Sequence, residues 1–187
     1  MPRVLVPIAD GFEEIEAVTL VDVLRRAEAD VTLASVMPRR QVTASRGVAI
    51  QADCLLDECA DIGWDLVALP GGMPGAAHLA DSVTLIRLLE AQLDAGRWLG
   101  AICAAPAVVL GRSGLIGDFR ATCHGAFREE LRQYVREASD EPVVRDRNLI
   151  TSRAPGTALR FSLSLVEALY GRDAAESVAG PMCVENF

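Results

Sequence analysis

A chain of 187 residues with a formal net charge of -8 falls in the usual range of one domain, long enough to bury a core without disulfides or metals. The acidic balance, with no basic stripe interleaved with aromatics, argues against stable nucleic-acid partners and against an anionic membrane surface, and leaves small neutral or anionic substrates open. The opening apolar run is too short for a signal peptide and no stretch reaches membrane-spanning length, so a cytoplasmic protein is expected, with Cys54, Cys59, Cys103, Cys123 and Cys183 reduced.

Arg3 to Ile8 reads as a buried parallel strand. Asp10-Gly11 turns the chain into a helix from Glu13 to Ala27, with Ile15, Val18, Leu20, Val21, Val23 and Leu24 at helical spacing, acidic residues at its start and Arg25-Arg26 at its end. Val31 to Val36 is a second strand, and residues 37–52 read as an antiparallel excursion, a hairpin suited to a dimer surface. A short helix is expected over Leu55 to Ile62, and a buried strand from Asp65 to Leu69, stopped by Pro70-Gly71-Gly72. Ser82 caps a helix to about Ala95 with Val83, Ile86, Leu89 and Leu93 on its core face. Trp98 to Ile102 is a strand that delivers Cys103 into a helix from Ala104 to about Gly111. Beyond it, Ile116 to His124 reads as extended, Ala126 to Arg136 as an exposed helix, and Val143-Val144 and Leu149-Ile150 as short strands. A loop over residues 151–157 leads into helices at Ala158 to Tyr170 and near Asp173 to Ala179.

This alternation predicts one α/β domain over residues 1–187, a doubly wound, mostly parallel sheet sandwiched by helices. Ligands of such sheets bind outside the strand carboxyl ends, where Asp10 to Glu16, Pro70 to Gly75 and the Cys103 turn are expected to converge.

Cys103 sits at a sharp strand-to-helix turn, which closes when the positions two before and two after are small; Ala101 and Ala105 meet that rule. The helix N-terminus would lower its thiol pKa, although a cysteine among alanines can also be an inert core residue. The backbone N–H groups of Gly72 and Ala104 could form an oxyanion hole. Of Glu13, Glu14 and Glu16, two are expected only to complement the helix dipole, while Glu16 falls at the edge of the buried face and, beside Cys103, would titrate with it as one unit. His124 is a candidate acid or base, His78 a solvated loop residue, and Cys123 either a resolving thiol or a buried inert one.

The segments from Ala9 to Glu16, Leu69-Pro70-Gly71-Gly72, Ala101 to Pro106 and Thr151 to Thr157 together resemble the ThiJ/PfpI superfamily, in the branch that contains the Parkinson-disease protein and its bacterial thiazole-named relatives. The resemblance implies a flavodoxin-like fold of the class I glutamine-amidotransferase type with a nucleophile elbow. It makes Cys103 the nucleophile, selects Glu16 as the acidic partner, maps the family histidine onto His124 and assigns the oxyanion donors to Gly72 and Ala104. It also implies a homodimer through the first helix and the hairpin, bringing Arg26 of one protomer and Arg46 of the other to the site mouth, with Arg153 and Pro155 as further substrate-binding residues. Ala154 stands where many relatives have glycine, and Gln51 where the human relative has a cysteine. Ala104 stands where protease-like relatives carry a histidine, which argues against a peptidase.

The implied activity is a cofactor-free, metal-free glyoxalase or deglycase acting on methylglyoxal, glyoxal or early glycated adducts. The alternatives are a redox-sensing or chaperone-type stress protein whose Cys103 is oxidised to sulfenic or sulfinic acid, and a cysteine hydrolase or amidase.

Overall fold

A computed structural model describes residues 1–185. Its framework is a seven-stranded sheet built from β1 (Arg3–Ile8), β2 (Asp30–Ser35), β5 (Cys54–Leu55), β6 (Leu66–Leu69), β7 (Trp98–Ile102), β10 (Val143–Asp146) and β11 (Leu149–Ser152), in the order β10-β11-β7-β6-β1-β2-β5. All neighbours run parallel except β10 on β11. The interior order β2-β1-β6-β7-β11 is the flavodoxin-like winding, and it reverses between β1 and β6, so the carboxyl ends of those two strands frame the crevice.

The near-continuous apolar runs of β1, β6 and β7 follow from burial on both faces. On one face, Val4, Val6 and Ile8 pack with Leu20, Val23 and Leu24 of α1 (Glu14–Arg26) and Phe161 and Leu165 of α5 (Ala158–Tyr170), with α6 (Arg172–Ala179) alongside. On the other, Leu5 and Val67 meet Leu79 of α2 (Gly75–Asp81), Leu85 and Leu89 of α3 (Val83–Asp94), and the buried helical segment after Cys103.

Several expectations are corrected. Ile15 and Val18 are 56% and 50% exposed while Glu16 is fully buried, so α1 turns its acid inward and two aliphatics outward. On α3, Leu89 is buried and Ile86 and Leu93 pack against the core as expected, but Val83 is exposed and Leu85 and Gln92 are buried in addition; Gln92 is tolerated inside because its Nε2 donates to the Trp64 and Trp98 carbonyls at 3.1 and 3.0 Å. In place of a helix at residues 55–62, Cys54–Leu55 adds to the sheet edge and one 3-10 turn follows at Leu56–Glu58. The expected loop around His78 is α2.

The hairpin is present, with β3 (Gln41–Thr43) antiparallel to β4 (Ala49–Gln51). Residues 116–136 are more broken than expected. There, β8 (Arg120–Ala121) pairs with β9 (Glu137–Ala138) in a sheet of its own, and α4 is confined to Arg128–Leu131. No helix among the described residues is long and apolar enough to cross a membrane.

Candidate active site

Three strand-end turns meet at the crevice, and each closes through close backbone approach. Cys103 itself takes φ of 65°, the left-handed region that costs a β-carbon strain. The turn is pinned by Cys103 N–H donating to the Ser152 carbonyl at 3.0 Å and by His124 N–H donating to the Cys103 carbonyl at 2.8 Å. Ala101 and Ala105 are fully buried against it, as the small-residue rule requires. The segment after it is short: a π-helix at Pro106–Gly111, in place of a regular helix from Ala104.

The loop after β6 lies directly under the thiol. A β-carbon at Gly71 would fall 2.7 Å from Cys103 Cβ, and one at Gly72, where φ is 88°, would fall 2.4 Å from Glu13 N. Only glycine fits both constraints. Three amides are left for chemistry: Gly71 N–H donates to Glu16 Oε2 at 2.7 Å, and the Gly72 and Ala104 N–H groups act on the Cys103 sulfur in favour of its charged form. Glu16 Oε1 is buried with no partner at hydrogen-bond length.

Electrostatically the acid and the thiol are coupled. Burial pushes the Glu16 carboxyl up to about 7, against the pull of Gly71 N–H and of the Cys103 thiol. Burial, then the Glu16 charge and its hydrogen bond, push the Cys103 thiol up to about 12, against Gly72 and Ala104 N–H. The expected lowering of the thiol by a helix end is thereby overturned, since desolvation and a neighbouring carboxylate outweigh two amides and a short helical segment. One charge is accepted by the pair and a second is resisted. Sulfur carries that charge in the form where Glu16 keeps the proton.

The open side is a cleft of about 260 Å³ lined by Cys103, Gly72, Ala104, His124, Arg46 and Pro155, together with Glu13, Met73, Ala126 and Phe127. His124 Nδ1 accepts from Ala126 N–H at 3.2 Å, which leaves its exchangeable proton on Nε2. Arg46 is held at the rim because Glu14 Oε1 accepts from its backbone N–H at 3.0 Å, while Ser45 Oγ bridges to Glu13 at 3.2 Å and Glu14 at 3.1 Å.

Arg26 and Arg153 are not brought to this cleft within the protomer. Ten residues along α1 place Arg26 about 15 Å from Glu16, where it pairs with Asp22 at 2.7 Å. Arg153 donates to the Asp140 carbonyl at 3.2 Å, away from the lining. Arg46 lines the cleft of its own chain. Sequence reasoning missed the cleft walls Met73 and Phe127, whose apolar side chains carry no local signal of exposure to a site. Among the described residues no three His, Cys, Asp or Glu side chains form a group able to hold a metal ion.

The model of the DJ-1/PfpI family matches residues 2–168. Protein DJ-1 homolog A of Arabidopsis thaliana is 45% identical over 93% of this chain and 44% of its own length, so the chain spans less than half of that relative. A Caenorhabditis elegans protein named glutathione-independent glyoxalase DJR-1.2 is 34% identical over 97% of this chain and 95% of its own. Oxidised DJ-1 of Toxoplasma gondii has a solved structure that superposes with a TM-score of 0.95, at 37% identity and full coverage of both chains. With the family match spanning nearly all of the sheet and its three strand-end turns, this chain belongs to the DJ-1/PfpI family.

Proposed function

We propose that this chain is a glutathione-independent glyoxalase or deglycase that converts small α-oxoaldehydes such as methylglyoxal and glyoxal, or their early protein adducts, to hydroxy acids in the cytoplasm. The observation that carries the reading is the buried Glu16 carboxyl coupled to Cys103 beneath two N–H donors. The name of the C. elegans relative supports the same chemistry.

In the reactive form Glu16 holds the proton and sulfur the charge. Sulfur attacks the aldehyde carbon, a C–S bond forms, and the oxyanion is received by Gly72 and Ala104 N–H before it takes the Glu16 proton. The Glu16 carboxylate, whose Oε1 has no other partner, then removes the hydrogen from that carbon and returns it to the adjacent one through an enediol. The former aldehyde carbon becomes an acyl thioester and the former ketone an alcohol, an internal redox exchange that needs no cofactor. Water cleaves the thioester, releasing lactate from methylglyoxal and restoring the thiol. His124, with its proton on Nε2, serves as a donor to substrate oxygen, and Arg46 holds an oxygen-bearing end at the rim.

Redox sensing at Cys103 is the second reading. It is favoured by the oxidised state named for the T. gondii structure and by the unpartnered Glu16 Oε1, which as a protonated acid would hydrogen-bond a sulfinate. A cysteine hydrolase or amidase ranks below both, since the residue after the nucleophile is Ala104 and His124 Nδ1 is engaged. Glu16→Gln separates the first two: lactate formation should fall far more than the rate of peroxide oxidation of Cys103, whereas equal losses would favour the sensor. Cys103→Ser should abolish lactate formation, and activity retained in the purified variant would end the enzymatic reading.

We also propose a homodimer through α1 and the hairpin. Ile15, Val18 and Val48 are about half exposed there, and a groove of about 340 Å³ beside them is lined by Ala17, Val18, Val21, Leu33 and Ile50.

A further inference from the structure

Two cysteines outside the cleft are not used by this chemistry. Cys54 lies on β5, the outermost strand of the sheet, and Cys59 closes the 3-10 turn that follows. The turn is folded back by Leu55 N–H donating to Glu58 Oε2 at 2.7 Å and by Cys59 N–H donating to the Leu56 carbonyl at 3.0 Å. Both side chains pack into the same core layer, Cys59 buried and Cys54 partly open, and the two thiols lie near enough to act on each other electrostatically. The Cys59 thiol also donates to the Leu56 carbonyl at 3.4 Å.

We propose that Cys54 and Cys59 form a peroxide-oxidisable dithiol, a second modification site that closes to an intrachain disulfide independently of Cys103. The more open Cys54 reacts first: its sulfur attacks a peroxide oxygen, the S–O bond forms, the O–O bond breaks, and water leaves from hydrogen peroxide, or an alcohol from an organic hydroperoxide. Cys59 then attacks the Cys54 sulfenic acid, forming the S–S bond and breaking S–O, and its thiol proton leaves with the hydroxyl as water. Two thiols lose two electrons and the peroxide gains them. Burial, with Cys54 and the carboxylates of Glu58 and Asp57 nearby, pushes the Cys59 thiol up to about 12, which fits it to the resolving role and not to first attack. β5 is a two-residue strand at the sheet edge, so a bridge there disturbs no interior strand pairing. By contrast, the Cys103 cleft has no second cysteine among its described lining residues, so oxidation there has no thiol in the cleft to cap it.

The test is peptide mass spectrometry after hydrogen peroxide treatment, denaturation and thiol alkylation. Trypsin releases residues 47–87 as one fragment whose only cysteines are Cys54 and Cys59. In wild type and in Cys103→Ser this fragment should lose two hydrogens and take up no alkylating agent, and dithiothreitol should restore both sites. In Cys59→Ser a dimedone adduct should accumulate at Cys54. Full alkylation of both thiols when Cys103 is already oxidised, sulfinic acid at Cys54 in wild type, or a bridge joining two chains would overturn the proposal.

Discussion

Glu16 shows how one buried side chain can set the behaviour of its neighbour. Its carboxyl is held protonated to about pH 7, above its ordinary value of 4.5, chiefly by burial. Between those values the unfolded chain releases a proton that the folded chain keeps, so stability is full below about pH 4.5 and is lost as pH rises through about 7. The loss is on the order of 3 kcal/mol from a shift of this size. Glu16→Gln, which keeps an acceptor for Gly71 N–H, should flatten that dependence in urea denaturation from pH 4 to 8; an unchanged slope would contradict the assignment. The same substitution should turn Cys103 alkylation from a two-step titration into a single step. Spacing alone put Glu16 at the edge of the buried face of its helix; that it is fully inside while Ile15 and Val18 face out required the tertiary packing of α1 on α5, which no local pattern records.

At the level of elements, the site depends on backbone contacts between turns. The β-carbon missing at Gly71 is the space that Cys103 Cβ occupies, so Gly71→Ala should lower stability by about 1–3 kcal/mol. It should also cut kcat/KM by on the order of 100-fold, because Gly72 N–H moves with the loop. Ser82→Ala is the control: Ser82 Oγ accepts from Leu85 N–H at 3.3 Å, so the change should cost about 1 kcal/mol and leave kcat/KM unchanged. Thermal unfolding and steady-state assays read both. Strands β1, β6 and β7 and helices α1, α3 and α5 were legible because buried runs and caps are local signals. The shortness of β8 and α4, and the whole of β9, were not, since these elements are held by long-range groups such as Arg120, which bonds Glu137 at 2.9 Å. The second wall of the cleft, Met73 and Phe127, belongs to that same class of contact.

The whole molecule positions its chemistry by winding. Reversal of the sheet between β1 and β6 puts the Glu16 and Gly72 turns at one crevice, and β7 adds Cys103 beside them. That convergence followed from alternating strands and helices read in order, whereas the distance of Arg26 from the cleft did not. The arginine belongs to the outer end of α1, next to the exposed aliphatic face. If that face is covered by a second copy, Val18→Asp should convert a dimer to a monomer in sedimentation equilibrium, while a wild-type monomer at micromolar concentration would contradict the assignment.

The most direct test of the Cys103–Glu16 pair as a catalytic unit is a lactate assay on wild-type protein with methylglyoxal, after glutathione and metal ions have been stripped. The account predicts steady lactate formation that disappears in Cys103→Ser and falls sharply in Glu16→Gln. No lactate from the wild type, or equal lactate from all three proteins, would contradict it.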